Sequence, residues 1–330
     1  MVEFAQFPYH PSLTTPFPNK SQDVTGHSRL SLGCARSLLA AAQAGPAWPQ
    51  FLSVEAPIEV IVTKDDLSGY DPQSTYGAIA LEYDYARPYY WGFSDEELLQ
   101  QAAIEPGMTV LDAACGTGAA ALPAAERVRP GGRVVAVDFS PEMLALASEK
   151  ASRRTLLNID WRLEDVTALD LPPESFDAVL CLFALFNVAD PSALAASLWR
   201  WVRPGGQLII VTKGRPFLAP LGDLFYAAAA AEAPNRQLPR PWQRIDSPDQ
   251  LHAVLTAAGI SADITAQTAT TPLRQPADWW RIVQATGLSR TVALLGPAAA
   301  ARVQAANLRA IAAQGIDAIY SCTLCAVARK

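Results

Sequence analysis

VLDAACGTGAAALPAAERV, residues 110–128, begins as an apolar strand and ends as a helix, with Gly116 and Gly118 in the turn between them. Gly116-x-Gly118-x-x-Ala121 fits loosely the glycine pattern that lets a turn of backbone approach a nucleotide closely. Asp138 stands twenty residues after Gly118, at the end of the next predicted strand. A carboxylate at that place can accept hydrogen bonds from ribose hydroxyls. The stretch therefore predicts a nucleotide-type ligand at the carboxyl ends of two parallel strands.

Strands and helices alternate on both sides of this turn. Strands are predicted at 108–114, 133–139, 159–166, 175–188 and 207–213, and helices at 119–128, at 191–202 and from Ser140 onward. Beyond residue 214 come a Pro- and Ala-rich insertion at 215–246, a helix at 247–260, a strand at 262–270, helices at 277–287 and 297–314, and a last strand near 319–329. This alternation is typical of βαβ units. It predicts a Rossmann-like, doubly wound α/β sheet of about seven strands, mostly parallel with an antiparallel last strand, and helices on both faces.

The first 71 residues differ from the rest of the chain. Seven prolines between residues 8 and 57 interrupt any long element, so we expect an irregular, partly disordered N-terminal extension at 1–71. Within it, only a helix near 30–44 and a strand at 57–63 are predicted. A capping box, Ser94 with Glu97, predicts a helix at 94–104. Residues 72–330 are expected to form a single domain.

Composition limits the partners. The net charge is −6, and no basic stripe is present that would neutralise phosphates, which argues against nucleic acid as a partner. No apolar run reaches the ~18 residues of a membrane span. The pair Cys322-x-x-Cys325 lacks two further ligands, so we predict strand residues there and no metal site. The scattered cysteines fit a reducing, cytoplasmic location.

Asp112 helps to distinguish the candidate ligands. A carboxylate at the mouth of the glycine turn would repel the pyrophosphate of a dinucleotide. S-adenosylmethionine has no phosphate and carries an ammonium and a sulfonium group, for which an acid is favourable. An alternative is that Asp112 only holds its own turn together.

Four stretches of the chain carry a family resemblance. They are VLDAACGTG at 110–118, VVAVDFSPEML at 134–144, LEDVTALDLPPESFDAVLCLFALFNVADP at 163–191 and RPGGQLIIV at 203–211. In this order and spacing they resemble the motifs of class I S-adenosylmethionine-dependent methyltransferases, and most of all small-molecule enzymes of the ubiquinone- and menaquinone-biosynthesis type. The resemblance spans about 72–330 and is densest at 108–214.

The resemblance implies S-adenosylmethionine as the cofactor and a role for each matching residue. Asp138 would accept the ribose hydroxyls, and Phe139 would flank the adenine. Asp165 and the Val166 N–H would bind the adenine edge, and the Leu182 carbonyl would accept from the methionine ammonium. The predicted cofactor-binding residues are therefore Asp112, Gly116, Gly118, Asp138, Phe139, Asp165, Val166 and Leu182.

The acceptor side is predicted less fully. EYDYARPYYWG at 82–92 lies where the resembled family folds a lid over the cofactor, although its rings could equally pack that lid on the sheet. The predicted pocket residues are Tyr83, Tyr85, Tyr89, Tyr90 and Trp91, with Phe186 and Asn187 where the family often has two histidines. Further pocket elements are expected from insertions near 215–246 and 275–316, including Trp279-Trp280. The acceptor is expected to be a small, apolar or aromatic molecule.

The catalytic residues are not predicted. Methyl transfer works largely by aligning the reactants, and a general base is needed only if the nucleophile arrives protonated. Two other functions remain open: a non-catalytic module that keeps the cofactor fold, and an NAD(P)-dependent oxidoreductase, for which no Tyr-x-x-x-Lys-like or His-based constellation is found. The oligomeric state is also not predicted.

Overall fold

A single mixed sheet organises the part of the chain that the computed structural model describes, residues 71–91 and 99–330. Its strands are β1 (Thr109–Ala113), β2 (Arg133–Asp138), β3 (Ile159–Leu163), β4 (Phe176–Leu182), β5 (Val202–Ala219), β6 (Asp263–Pro272) and β7 (Ala318–Arg329). They lie in the order β3-β2-β1-β4-β5-β7-β6. Strands β1 to β5 pair in parallel, whereas β7 is antiparallel to both of its neighbours. The predicted seven-stranded Rossmann-like sheet is confirmed.

Helices connect and cover the strands. They are α1 (Pro72–Trp91), α2 (Ala121–Arg127), α3 (Pro141–Arg153), α4 (Pro191–Trp201), α5 (Leu221–Glu232), α6 (Pro248–Ala257), α7 (Pro276–Gln284) and α8 (Ser289–Gln314). Short 3-10 helices occur at Leu185–Asn187 and Pro241–Arg244. None of the helices in the described part of the chain is both long and apolar enough to cross a membrane.

The centre of the sheet is largely apolar. Leu111 of β1 lies between Val135 of β2 and Val179 of β4, and all three side chains are buried. A strand that is covered on both faces needs such side chains on both sides. From β1 the chain order runs outward in both directions, so the carboxyl ends of β1 and β4 form the crevice in which open α/β sheets bind ligands.

The fourth strand is shorter than the apolar run at 175–188 predicts. It ends at Leu182, because Phe183 adopts a left-handed backbone conformation (φ 57°) and a 3-10 helix follows. Leu185 and Phe186 are nevertheless buried. The run was apolar because these residues lie in the core, and not because they continue the strand.

Two helices were not predicted. Helix α1 occupies 72–91, where only a lid was expected, and α5 lies inside the Pro- and Ala-rich insertion. A signal for α1 was present in the sequence, since Asp71 precedes Pro72 and its carboxylate accepts from the N–H groups of Gln73 and Ser74 at 3.1 and 3.3 Å. Asp as N-cap with Pro at the first helical position is a recognised start signal.

Several predictions lie outside the described residues. These are the helix near 30–44, the strand at 57–63 and the first five residues of the helix at 94–104, together with the extension at 1–70 as a whole. In the described remainder, 99–104, only residues 99 and 100 are helical, so the predicted helix is too long at its carboxyl end. The described residues all belong to one unit, Val60–Lys330.

Candidate active site

A cavity lies at the carboxyl ends of β1, β2, β3 and β4. Six of the eight predicted cofactor residues line it: Gly116, Asp138, Phe139, Asp165, Val166 and Leu182. Helix α1 adds Pro72, Tyr76 and Tyr83, and the segment after β4 adds Phe183, Ala184, Asn187 and Val188. We call this space the donor cavity.

The turn after β1 is held by a carboxylate from the neighbouring strand. Asp138 at the end of β2 accepts the Gly116 N–H at 2.7 Å and the Ser140 N–H at 3.0 Å. Ala114 and Gly116 both have positive φ, 63° and 51°. Left-handed backbone costs a residue such as alanine about a kcal/mol or more and is typical of functional turns. A Cβ at Gly116 would meet no described atom within 4 Å, so the backbone here faces open space.

The second glycine of the turn has a packing role. Gly118 has φ of 85°, and a Cβ there would lie 3.1 Å from Leu122 and 3.3 Å from Ala147 of α3. It does not line the donor cavity among the described residues. Its absent side chain allows the turn to lie close to α3.

Asp112 is buried directly behind the donor cavity. Neither of its carboxylate oxygens makes a hydrogen bond of ordinary geometry with a described residue. Burial, more than any other influence, raises the pKa of Asp112 to about 7. The nearby charge of Asp138 also raises this pKa, whereas the backbone N–H of Ala121 lowers it. The hydrogen bonds that hold the turn therefore come mainly from Asp138, and Asp112 is left as a buried acid that a cation would help to ionise. Its contact with the cofactor stays a prediction.

The loops after β3 and β4 complete the donor cavity. Asp165 forms its own turn, in which its carboxylate accepts both the N–H and the hydroxyl of Thr167 at 2.8 Å. After β4, the N–H of Phe183 donates to the Val211 carbonyl at 2.8 Å. Asn187 lies beside Tyr76 of α1, with its amide nitrogen 3.5 Å from the phenol oxygen.

Helix α1 is attached to the donor cavity by polar contacts. The Gln73 side chain donates to the Phe139 carbonyl at 2.8 Å. Asp84 accepts from the Thr117 hydroxyl at 2.6 Å and from Lys150 of α3 at 2.8 Å. These contacts hold the face of α1 that carries Tyr76 and Tyr83 towards the donor cavity. The rings of these two tyrosines meet edge to face, with centroids 6.0 Å apart.

A second, much smaller cavity adjoins the first. Its lining comprises Tyr76, Tyr83, Phe183, Phe186, Lys213, Thr286 and Gly287, of which the first three also line the donor cavity. We call it the acceptor cavity. Sequence reasoning placed Phe186 in this pocket and missed Lys213, although a lysine near the end of the apolar run QLIIVTK was a visible signal.

Lys213 is buried among aromatic rings. Its Nζ lies 4.9, 4.2 and 4.7 Å from the ring centroids of Phe186, Phe217 and Trp242. Such contacts with ring faces attract a cation. Burial nevertheless lowers the pKa of Lys213 to about 7. The amine can therefore be present in either protonation state near neutral pH.

Other predicted pocket aromatics lie elsewhere. Tyr85 and Tyr89 lie on another face of α1, with their ring centroids 6.1 Å apart. The guanidinium carbon of Arg281 lies 3.6 Å from the centroid of the Tyr85 ring. Trp279 is buried and donates to Asn307 at 2.7 Å. None of these side chains lines either cavity within the described ranges. The side chains of Tyr90 and Trp91 are outside the described residues.

The charges of the donor cavity suit a cation. Its described lining contains the acids Asp138, Glu164 and Asp165 and no lysine or arginine. A pyrophosphate would meet this negative surface unfavourably, whereas an ammonium and a sulfonium would be stabilised. In the described part of the chain, no group of three His, Cys, Asp or Glu side chains is arranged to hold a metal ion.

Comparison with known proteins agrees with this geometry. Residues 111–210 match a methyltransferase domain family. The chain is 34% identical over 164 residues to the demethylmenaquinone methyltransferase of Thermus thermophilus, covering 46% of this chain and 74% of that protein. It is 30% identical over 187 residues to the corresponding enzyme of Symbiobacterium thermophilum, covering 51% and 74%. Its fold is similar to a candidate methyltransferase of Bacillus halodurans, with a TM-score of 0.50, 20% identity, and coverage of 72% of this chain and 98% of that one.

Proposed function

The chain belongs to the S-adenosylmethionine-dependent methyltransferases, and we propose that its methyl acceptor is a small apolar aromatic molecule with a ring hydroxyl group, of the quinol kind. The enzyme transfers a methyl group from S-adenosylmethionine to a small molecule. The observation that carries the acceptor proposal is the aromatic cavity that continues from the donor cavity past Tyr76, Tyr83 and Phe183. The relatives named above, which are demethylmenaquinone methyltransferases, support the same acceptor class.

We assign the donor to the larger cavity. Asp138 would accept its ribose hydroxyls and Phe139 would flank its adenine, with Asp165 and the Val166 N–H at the adenine edge. The Leu182 carbonyl would accept from the ammonium, and the buried charge of Asp112 would favour the cationic end from behind. Gly116, whose missing Cβ leaves open space, supports a close approach of the ligand to the backbone.

The chain's own contribution to the reaction is alignment. The donor supplies an activated methyl group and a neutral leaving group. Tyr76, Tyr83 and Phe183 stand between the two cavities and would hold an acceptor ring against the donor. Alignment of this kind, together with exclusion of water, can supply several kcal/mol of a barrier.

The acceptor proposal is tested with the full chain and radiolabelled S-adenosylmethionine. We expect labelled product with reduced demethylmenaquinone and with a short-chain naphthoquinol, and none with a small aliphatic amine. Mass spectrometry should show one added methyl group. Transfer to the amine, or none to either quinol, would contradict the proposed acceptor.

Calorimetry separates the donor assignment from the acceptor. S-adenosylhomocysteine should bind and raise the melting temperature, as any ligand of the native state does, whereas NADH should not. The expected cytoplasmic location and the absence of a nucleic-acid partner rest on composition and stay predictions.

A further inference from the structure

We propose that Lys213 binds the acidic ring hydroxyl of the acceptor and takes its proton before the methyl group is transferred. The inference rests on the proposed function, because it concerns the same acceptor in the same pocket. It adds a base to a reaction for which sequence reasoning named no catalytic residue.

The position of Lys213 carries the argument. It lies within β5, is buried, and lines the acceptor cavity. The neighbouring lining is aromatic, as an acceptor ring would require, and Lys213 is the only amine among its described residues. A ring that enters past Tyr83 would present its polar group to this amine.

The groups around Lys213 leave it the main base of the cavity. From α1, the phenols of Tyr76 and Tyr83 face the same space. The rings of Phe186 and Trp242, which lie on the two 3-10 helices, contact the Lys213 amine. On the neighbouring strand β7, Thr323 pairs with Lys213.

The charged side chains nearby on the chain are paired elsewhere. Arg215, two residues further on, forms an ion pair with Asp246 at 2.6 Å. Arg244 donates to the carbonyls of Val188 and Ala189 at 2.9 Å. Burial lowers the pKa of Lys213 to about 7, which suits proton exchange at neutral pH.

The proposed step is balanced. The O–H bond of the acceptor breaks, its electron pair stays on the ring oxygen, and the proton forms an N–H bond with the neutral Lys213 amine. The oxygen of the anionic acceptor, or the ring carbon beside it, then forms a bond to the methyl carbon as the S–CH₃ bond breaks and its electron pair goes to sulfur. Where the carbon is the nucleophile, its own proton then moves to the ring oxygen, which restores the aromatic ring. The positive charge of the donor's sulfonium group is thereby replaced by that of the Lys213 ammonium, which returns its proton to solvent.

The test uses Lys213→Met and Lys213→Arg. Methionine keeps an unbranched apolar chain, and arginine keeps the positive charge but cannot accept a proton. The control is Lys330→Met, which removes another lysine near an aromatic ring, 5.7 Å from the Trp199 centroid, on a residue that lines neither cavity. The probe is a naphthoquinone with a phenolic hydroxyl on its benzenoid ring, which is neutral in water at pH 7 and absorbs at longer wavelength when it is ionised.

In the parent and the control, the bound probe should be ionised at neutral pH. Lys213→Met should lose that absorbance and lower kcat roughly a hundredfold, the lower end of the range for a general base, with an unchanged Kd for S-adenosylhomocysteine. Lys213→Arg should keep the absorbance and lose turnover at neutral pH. Its rate should recover only as the acceptor itself ionises at higher pH.

Three results would overturn the proposal. They are full turnover of Lys213→Met, full neutral-pH turnover of Lys213→Arg, and failure of the parent to bind or ionise the probe. Failure of the proposed function looks different: no quinol is methylated, yet the probe still ionises only when Lys213 is present. A melting curve of each variant checks folding, and loss of a buried charge should not lower it.

Discussion

The donor and acceptor cavities share a wall of three aromatic residues but differ in charge. The donor cavity is lined by acids, among them Asp138, and has no basic residue in its described lining. The acceptor cavity has aromatic rings and one amine, that of Lys213. The two chemistries complement each other, because a cationic donor would meet an acceptor that becomes anionic beside a lysine. Under the proposed assignment, charge would direct each reactant to its own cavity.

The cavities also differ in how the chain builds them. The donor cavity comes mostly from short turns that directly follow β1, β2, β3 and β4, all between residues 114 and 188. The acceptor cavity joins α1, the 3-10 helix after β4, strand β5 and the segment at 286–287. Substitutions on one side should therefore leave the other side largely unchanged.

The largest expected effect comes from Asp112→Asn. The pKa of the buried carboxyl is raised from 3.8 to about 7, so the folded protein holds a proton that the unfolded chain has lost across that range. The stability of the parent therefore falls as pH rises from about 4 to 7, and asparagine removes that loss. From pH 5 to pH 8, the free energy of unfolding of the variant should rise by about 3 kcal/mol relative to that of the parent.

Denaturant unfolding at pH 5, 6, 7 and 8 measures this difference. Asp170→Asn is the control, because its side chain is 91% exposed and should leave the pH dependence as it is. Asp112→Asn should also bind S-adenosylmethionine more weakly than the parent, since the cationic donor favours an ionised Asp112. A pH-independent difference in unfolding free energy would show that Asp112 is not a buried acid in the folded protein.

Asp138→Ala should affect the donor cavity alone. The substitution removes the proposed acceptor of the ribose hydroxyls and leaves the N–H groups of Gly116 and Ser140 without their partner. Charge-assisted hydrogen bonds contribute about 1.5–3 kcal/mol, so the Kd for S-adenosylhomocysteine should rise roughly tenfold to a hundredfold. Calorimetry gives the Kd, and probe binding in the acceptor cavity should change little. An unchanged Kd would show that Asp138 does not contribute to donor binding.

The difference between the cavities also explains what the sequence could predict. Gly116, Asp138 and Asp165 follow successive strands at fixed spacing, and parallel strands bring their carboxyl ends to one edge. The sheet and most of the donor cavity were therefore accessible from local patterns. Lys213 and Thr286 meet only through tertiary packing, and the single-sequence pattern carries no such information.

Individual side chains show the same limit. The aromatic cluster at 82–92 was found, but the side of α1 that each ring occupies depends on a helix that was not predicted. Tyr76 and Tyr83 are seven residues apart and share one face of that helix, whereas Tyr85 lies on another. Recognition of Asp71-Pro72 as a helix start would have separated the two sets.

The smallest effect is expected from Asp84→Asn, which should change both cavities together. Asp84 joins α1 to Thr117 and Lys150, while α1 supplies Tyr76 and Tyr83 to both linings. Burial raises the pKa of Asp84, but the hydrogen bonds from Lys150 and Thr117 outweigh it and leave the pKa below its ordinary value. The stabilisation from this ion pair is thus present at neutral pH and is lost as pH falls through that lowered pKa.

Because the Asp84 side chain is 40% exposed, the pair should contribute about 0.5 kcal/mol. Asparagine should therefore lower the unfolding free energy at pH 7 by no more than about that amount. It should raise the donor Kd and the acceptor KM by a similar factor of about two. Asp138→Ala is expected to change only the donor Kd, and Lys213→Met mainly the acceptor chemistry. A parallel rise of the donor Kd and the acceptor KM in Asp84→Asn would therefore identify α1 as the element that couples the cavities. A change confined to one constant would show that α1 serves that cavity alone.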